Sequence, residues 1–225
     1  FVGSVHNAPA GQVAMRSKAR GANVAMTGGD ASFEQALTAA HYLATNGRHP
    51  VLVGGADEMH PGFSKLFDPS VPLSDTPADG GGMVLLETAG DESTLPLHPG
   101  YFAPGGEISE SLQAVVNYHA GPQAFNDQIG AVMVGIPAAH RDAFTPYLDE
   151  FRHQLGFEGP WIDYRRYFGE FASASAVAAV AAMAFLERGA IPGALAGGED
   201  WPLAGRAILL LGLGDTTTTM LAAMS

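Results

Sequence analysis

Val51-Leu52-Val53-Gly54-Gly55 is a short apolar run closed by two glycines, and its reading decides the fold class. Runs of this length, bounded by turn residues, predict a buried strand. Just ahead of it, Ala31 to Asn46 carries Phe33, Leu37, Ala40 and Leu43 at helical spacing, opened by Asp30 and closed by Gly47. Just behind it, residues 61–81 are rich in Pro, Asp, Ser and Gly and read as loop, and Met83 to Leu86 predicts a second buried strand. Residues 88–112 are again Gly- and Pro-rich and place a boundary near Pro104-Gly105-Gly106.

The second half repeats this plan. Ile129 to Val134 predicts a strand, Ala143 to Leu155 an amphipathic helix, and Trp161 to Tyr164 a further strand. Ala172 to Arg188 is Ala-rich and almost wholly apolar, which predicts a helix buried on all sides. Ala207 to Leu211 and Thr217 to Ala222 then predict two strands around Gly212-Leu213-Gly214, a tight turn. Each half thus holds a buried helix followed by a pair of apolar strands, as an internal duplication would. Strands alternating with buried helices argue for an α/β layered fold, with halves 1–104 and 105–225 packed as one compact domain.

Composition narrows the function. The 225 residues hold 11 Lys and Arg against 23 Asp and Glu, a net charge of −12. A nucleic-acid binder needs a basic footprint, and an anionic membrane surface needs one too; neither partner is expected. Charged residues are only 15% of the chain, against about 25% in a typical soluble domain, which suits a surface covered by a partner. There is no cysteine, so disulfides, thiolate metal sites and a cysteine nucleophile are excluded together. The longest charge-free apolar stretch, Phe171 to Leu186, is short of the ~18 residues a membrane span needs. No charged n-region with an apolar h-region opens the chain, so a cytoplasmic protein is expected.

His6, His41, His49 and His60 have no metal-ligand spacing, and no metal or cofactor is expected. Gly212-Leu213-Gly214-Asp215 lacks the Lys of a phosphate loop, and no Gly-x-Ser-x-Gly elbow is present.

Five landmarks, in order along the chain, resemble the β-ketoacyl synthases of the thiolase fold. They are Asn7-Ala8-Pro9-Ala10-Gly11 followed by Arg20-Gly21; Gly54-Gly55-Ala56-Asp57; Asp79-Gly80-Gly81-Gly82-Met83-Val84-Leu85-Leu86-Glu87; Tyr167-Phe168-Gly169 with the Ala-rich helix and Arg188-Gly189-Ala190-Ile191-Pro192; and Gly212-Leu213-Gly214, at the place of the family's gate. The resemblance implies an α-β-α-β-α arrangement of two similar halves, with the N-terminal part of the first half missing.

What the family uses for condensation is replaced. Its Cys, placed at a helix N-terminus where the thiolate is favoured, corresponds to Asp30. The first His corresponds to Val134, with Met133 as the neighbouring candidate, the Lys to Arg165, and the second His to Glu170. A carboxylate holds no acyl group as a thioester, and Val donates no hydrogen bond. The run Ser4-Val5-His6-Asn7-Ala8-Pro9-Ala10-Gly11, with Asp30 and Ser32-Phe33 after it, resembles the subgroup of chain-length factors from aryl-polyene and polyketide pathways.

That resemblance implies a non-catalytic subunit in a heterodimer with an active β-ketoacyl synthase, shaping its acyl tunnel with its helices and the Phe1 to Asn7 segment. The partner contact would be the strand Ala22-Asn23-Val24-Ala25-Met26, and acyl carrier protein would dock on the partner. Plainer roles stand beside these. Asp is a strong N-cap, worth ~1 kcal/mol over Ala, and Glu170 falls in a first helical turn, where negative charge is favoured. If the two carboxylates meet, they form either an acid–base pair, the basis of a small enzyme, or a plug salt-bridged by Arg165. The plug is the preferred reading.

Overall fold

The structure is a computed structural model and describes residues 7–47, 50–60, 62–87, 95–104 and 107–224. The first half contains α1 (Ala8–Arg16), α2 (Ser32–Gly47) after a single 3-10 turn at Gly29–Ala31, β1 (Val51–Asp57), α3 (Ser64–Phe67) and β2 (Gly80–Leu86). Next come β3 (Leu97–Pro104), α4 (Ile108–Tyr118), α5 (Pro122–Gln128), β4 (Ile129–Gly135) and α6 (Ala138–Leu155). The remainder is β5 (Trp161–Asp163), α7 (Tyr164–Phe168), α8 (Ala174–Arg188), β6 (Ala190–Ile191), α9 (Gly193–Ala196), β7 (Trp201–Pro202), β8 (Ala207–Leu213) and β9 (Thr216–Ala222).

A five-stranded sheet in the order β3-β9-β8-β4-β5 carries the second half. In it β4 runs parallel to both β5 and β8, while β9 is antiparallel to β8 and β3. All seven residues of β4 are buried, as expected of a central strand covered on both faces. Successive side chains of β4 and β8 alternate between two cores. Ala131, Met133, Ile208 and Leu210 point to an inner core with α2 and α8, and Val132, Val134, Leu209 and Leu211 to an outer core with α4 and α6.

The first half contributes a two-stranded antiparallel sheet, β1 with β2, in register from Val51 opposite Leu86 to Asp57 opposite Gly80. Its inner face, Val53 and Val84, packs into the same inner core. Helices α2 and α8 therefore lie between the two sheets. The small side chains of α8 allow this: seven of its residues are buried, five of them Ala. A Cβ on Gly82 of β2 would lie only 2.4 Å from the Ala176 carbonyl oxygen, so α8 rests its backbone on the strand.

Several expectations are corrected. Ala22–Met26 forms no strand within the chain, because among the described residues it has no ladder partner. Residues 88–112 hold β3 and α4 rather than loop alone: β3 is an edge strand, and its register shifts between Pro99 and Phe102, where the proline lacks an N–H to give. Through β3, which pairs with β9, the five-stranded sheet takes in Leu97–Pro104. Helix α6 starts at Ala138 and tolerates Pro146. Tyr164 opens α7 instead of closing β5, since the Asp163 carboxylate accepts from the N–H groups of Arg165 and Arg166 and caps the helix.

Candidate functional site

The 3-10 turn ahead of α2 carries Asp30, α7 carries Arg165, and the segment between α7 and α8 carries Glu170. The fold brings the three together. Arg165 is 1% exposed and donates from Nη2 to Asp30 Oδ1 at 2.5 Å, and from Nη1 to Glu170 Oε1 and, at 3.2 Å, to the Phe171 carbonyl. The Glu170 backbone is pinned as well, its N–H donating to Thr76 O at 2.7 Å and its carbonyl accepting from Ala78 N–H. Burial raises the Asp30 and Glu170 carboxyls above the ordinary carboxylate range more than the Arg165 guanidinium lowers them. Arg165 itself stays charged beside them.

The second ring around this triad escaped the sequence reading. Arg141 on α6 lies 3.8 Å from Glu170 Oε2 and 3.5 Å from Asp163 Oδ2. Glu34, in the first turn of α2 and 3% exposed, accepts from Ser175 Oγ at 3.1 Å and Thr218 Oγ1 at 3.2 Å. Burial pushes its carboxyl up to about 7, against the pull of its hydrogen bonds and of Arg165. Its one sequence signal is an acid beside the apolar stripe of Phe33 and Leu37.

Gly212 and Leu213 lie within β8, paired with Thr218 and Thr217, so the expected three-residue turn shrinks to Gly214-Asp215, and this end of the strand stands beside two carboxylates. A Cβ on Gly214 would stand 3.4 Å from Asp30 Oδ2, and one on Gly212 would stand 3.7 Å from Glu34 Oε1 and 2.4 Å from Thr218 Oγ1. Val134 does not join this group, because its side chain faces the outer core, whereas Met133 faces the inner one. The β4 residue that faces α7 is Gly135, where a Cβ would lie 2.0 Å from Tyr164 Cζ.

The other singled-out residues have structural partners or lie beyond view. Asp57 ties the end of β1 to the start of α8, accepting from Ser173 N–H at 2.7 Å and from its hydroxyl at 2.5 Å. His41 Nε2–H donates to Leu97 O, and His60 Nδ1 accepts from Gly62 and Phe63 N–H. Ala22–Met26 is exposed throughout. The Phe1–His6 part of the expected tunnel wall, His6 and His49 lie outside the described residues. Among the described residues no group of three His, Cys, Asp or Glu could hold a metal ion, and no helix is long and apolar enough to cross a membrane.

Chemically, the centre is a buried cation clamped by two carboxylates. Asp30 is its reachable member, with a side chain 31% exposed. A carboxylate held by a guanidinium is a weak nucleophile, and no thiol is present anywhere in the chain.

Residues 1–103 match the family model described as the N-terminal domain of β-ketoacyl synthase. A comparison with curated protein sequences gave no match. Among solved structures, a type II polyketide ketosynthase in complex with its acyl carrier protein is similar at TM-score 0.67 and 14% identity, over 98% of this chain and 65% of that one. A β-ketoacyl synthase from Burkholderia phymatum STM815 gives 0.69 and 15% identity, over 97% and 65%. The ishigamide ketosynthase/chain length factor gives 0.60 and 20%, over 97% and 61%. The chain thus spans less than two thirds of the length of these three structures. By sequence over residues 1–103, and by layered architecture across the chain, the protein is similar to β-ketoacyl synthases.

Proposed function

We propose that the chain is a non-condensing ketosynthase-like subunit, a chain-length factor that pairs with an active β-ketoacyl synthase and shapes its acyl tunnel in polyketide, aryl-polyene or fatty-acid-type biosynthesis. The observation that carries this reading is the clamp of Arg165 on Asp30 and Glu170. Where the resemblance implies a nucleophile and a base, this chain has an ion-paired plug, and an ion pair neither forms a thioester nor stabilises an enolate. The similarity in fold to a ketosynthase/chain length factor supports the same reading. The mechanism is steric: side-chain bulk beside the partner's tunnel sets how long a chain fits. Ala22–Met26 is the proposed contact with the partner, and carrier-protein docking falls to that partner, since a chain of net charge −12 repels an acidic carrier.

A second reading has an observation of its own. Asp30 and Glu170 both have raised carboxyl pKa values and Asp30 is partly exposed, the arrangement an acid–base pair needs. Gentle purification of the tagged gene product from its native cell, with mass identification of what accompanies it, separates the two. A stoichiometric Cys-bearing ketosynthase supports the chain-length factor. Recovery without one overturns it and leaves the acid–base enzyme.

A further inference from the structure

Asp30 and Glu34 stand four residues apart where the 3-10 turn runs into α2, which puts both carboxyls on one face of that helical start. They share a neighbour, because Arg165 acts electrostatically on each. They do not share its hydrogen bonds. Arg165 holds Asp30 and Glu170. Glu34 has hydroxyl partners only, Ser175 on α8 and Thr218 on β9, and no ion pair among the described residues.

Four carboxyls meet two guanidiniums in this cluster. Asp30, Glu34 and Glu170 lie around Arg165, while Arg141 is shared between Asp163 at 3.5 Å and Glu170 at 3.8 Å. With every acid ionised, two negative charges would stand uncompensated beside side chains as buried as Glu34 and Glu170, 3% and 1% exposed. Keeping a proton costs less than burying an unpaired charge. Glu34 is the member without a cation in contact, and burial pushes its carboxyl up to about 7. Tyr164, buried on α7 and acting on both Glu34 and Asp30, keeps its own proton. On Asp30, Asp68 acts with the burial and His140 against it, and His140 is itself paired with Asp215 at 3.1 Å.

Losing the Glu34 proton sets a second carboxylate in competition with Asp30 for one guanidinium. Burial decides which acid yields. Glu34 and Glu170 have almost no contact with water, whereas the Asp30 side chain is 31% exposed. The clamp also leaves Arg165 Nε buried without a hydrogen bond, so this side chain has a donor to spare for a new arrangement.

We propose that the cluster is a proton-operated switch on the site: with Glu34 protonated, Arg165 clamps Asp30, and when Glu34 ionises, Arg165 turns Nη2 to Glu34 and releases Asp30 to solvent. The Glu34 proton passes to water, and Asp30 becomes a free carboxylate. The plug is thus closed on the acid side of neutrality and open on the alkaline side. The device belongs to this chain alone and does not depend on what accompanies it.

The test is a pH titration of the purified 225-residue chain by infrared spectroscopy and carboxyl-carbon NMR, with the Asp30 line assigned through Asp30→Asn. At about pH 6 the wild type should show the carbonyl band of an un-ionised buried carboxyl. That band should vanish in a step near 7, and the Asp30 line should shift in the same step. Glu34→Gln keeps an oxygen for Ser175 and Thr218, so its circular dichroism should match the wild type. It should lack the step in the band and hold the Asp30 line still through that range. A wild type without the band at about pH 6 overturns the proposal before any variant is made. It is overturned equally by a step that survives Glu34→Gln, or by an Asp30 line indifferent to Glu34. None of these results touches the heterodimer reading, which stands or falls on what accompanies the chain from its native cell.

Discussion

Arg165 Nη2 donates to Asp30 Oδ1 at 2.5 Å across a sequence distance of 135 residues, and this bond ties α7 to the 3-10 turn ahead of α2. The same guanidinium holds Glu170 five residues further on. Asp30, Arg165 and Glu170 thus form one ion triad between the start of α2 and the entry to α8.

Removing the cation alone should be costly. Arg165→Met leaves the Glu170 carboxylate, 1% exposed, and the Asp30 carboxylate without their donor. Breaking a buried pair from one side costs about 3–5 kcal/mol. Urea denaturation should show that loss. The triple variant Asp30→Asn, Arg165→Met, Glu170→Gln should recover most of it, because no charge is then left buried alone.

Stability should fall as pH rises from about 5 to 8. Glu34 has its folded carboxyl raised from 4.5 to about 7 by burial. Below the lower value both folded and unfolded states carry the proton, and its contribution is complete. As pH climbs through the folded value, the folded chain must ionise a buried group and the contribution is lost. Asp30 and Glu170 shift in the same direction. Glu34→Gln should flatten the profile by at most about 3 kcal/mol, measured by denaturation at a series of pH values.

The contact between β2 and α8 gives a third prediction. Gly82→Ala places a methyl 2.4 Å from the Ala176 carbonyl oxygen, backbone against backbone, so the sheet and the central helix must separate. A loss of about 1–3 kcal/mol is expected. Gly198→Ala, where a Cβ would meet nothing within 4 Å, should stay within about 0.5 kcal/mol of wild type.

Much of the architecture is legible in local pattern. The apolar runs of β4 and β8 and the Ala-rich α8 announce themselves, because central strands and helices buried on every side leave little room for polar residues, whereas β1 reads as buried from its sequence and is not, with Leu52 48% exposed. Helix α4 is hidden by the Gly- and Pro-rich residues before it, although Ile108, Leu112, Val115 and Val116 carry helical spacing. Ala22–Met26 has the composition of a strand but pairs with no strand among the described residues. The clamp of Arg165 is legible only through the resemblance, which aligns Asp30, Arg165 and Glu170 with a known site. Glu34 is not, since its partners Ser175 and Thr218 lie 141 and 184 residues away and nothing in local spacing points to them. Val134 shows the limit of counting along a strand. An offset of one residue turns the side chain to the other face, and the residue facing α7 is Gly135.

In the role proposed for it, this chain performs no condensation of its own. The direct measurement is to incubate the purified chain with acyl and malonyl thioesters of acyl carrier protein, recording the intact mass of the chain and the release of carbon dioxide. A chain-length factor should give no acyl adduct and no release above the protein-free rate at any pH from 5 to 9. Turnover by the chain alone, with a bell-shaped pH profile abolished by Asp30→Asn, would contradict it.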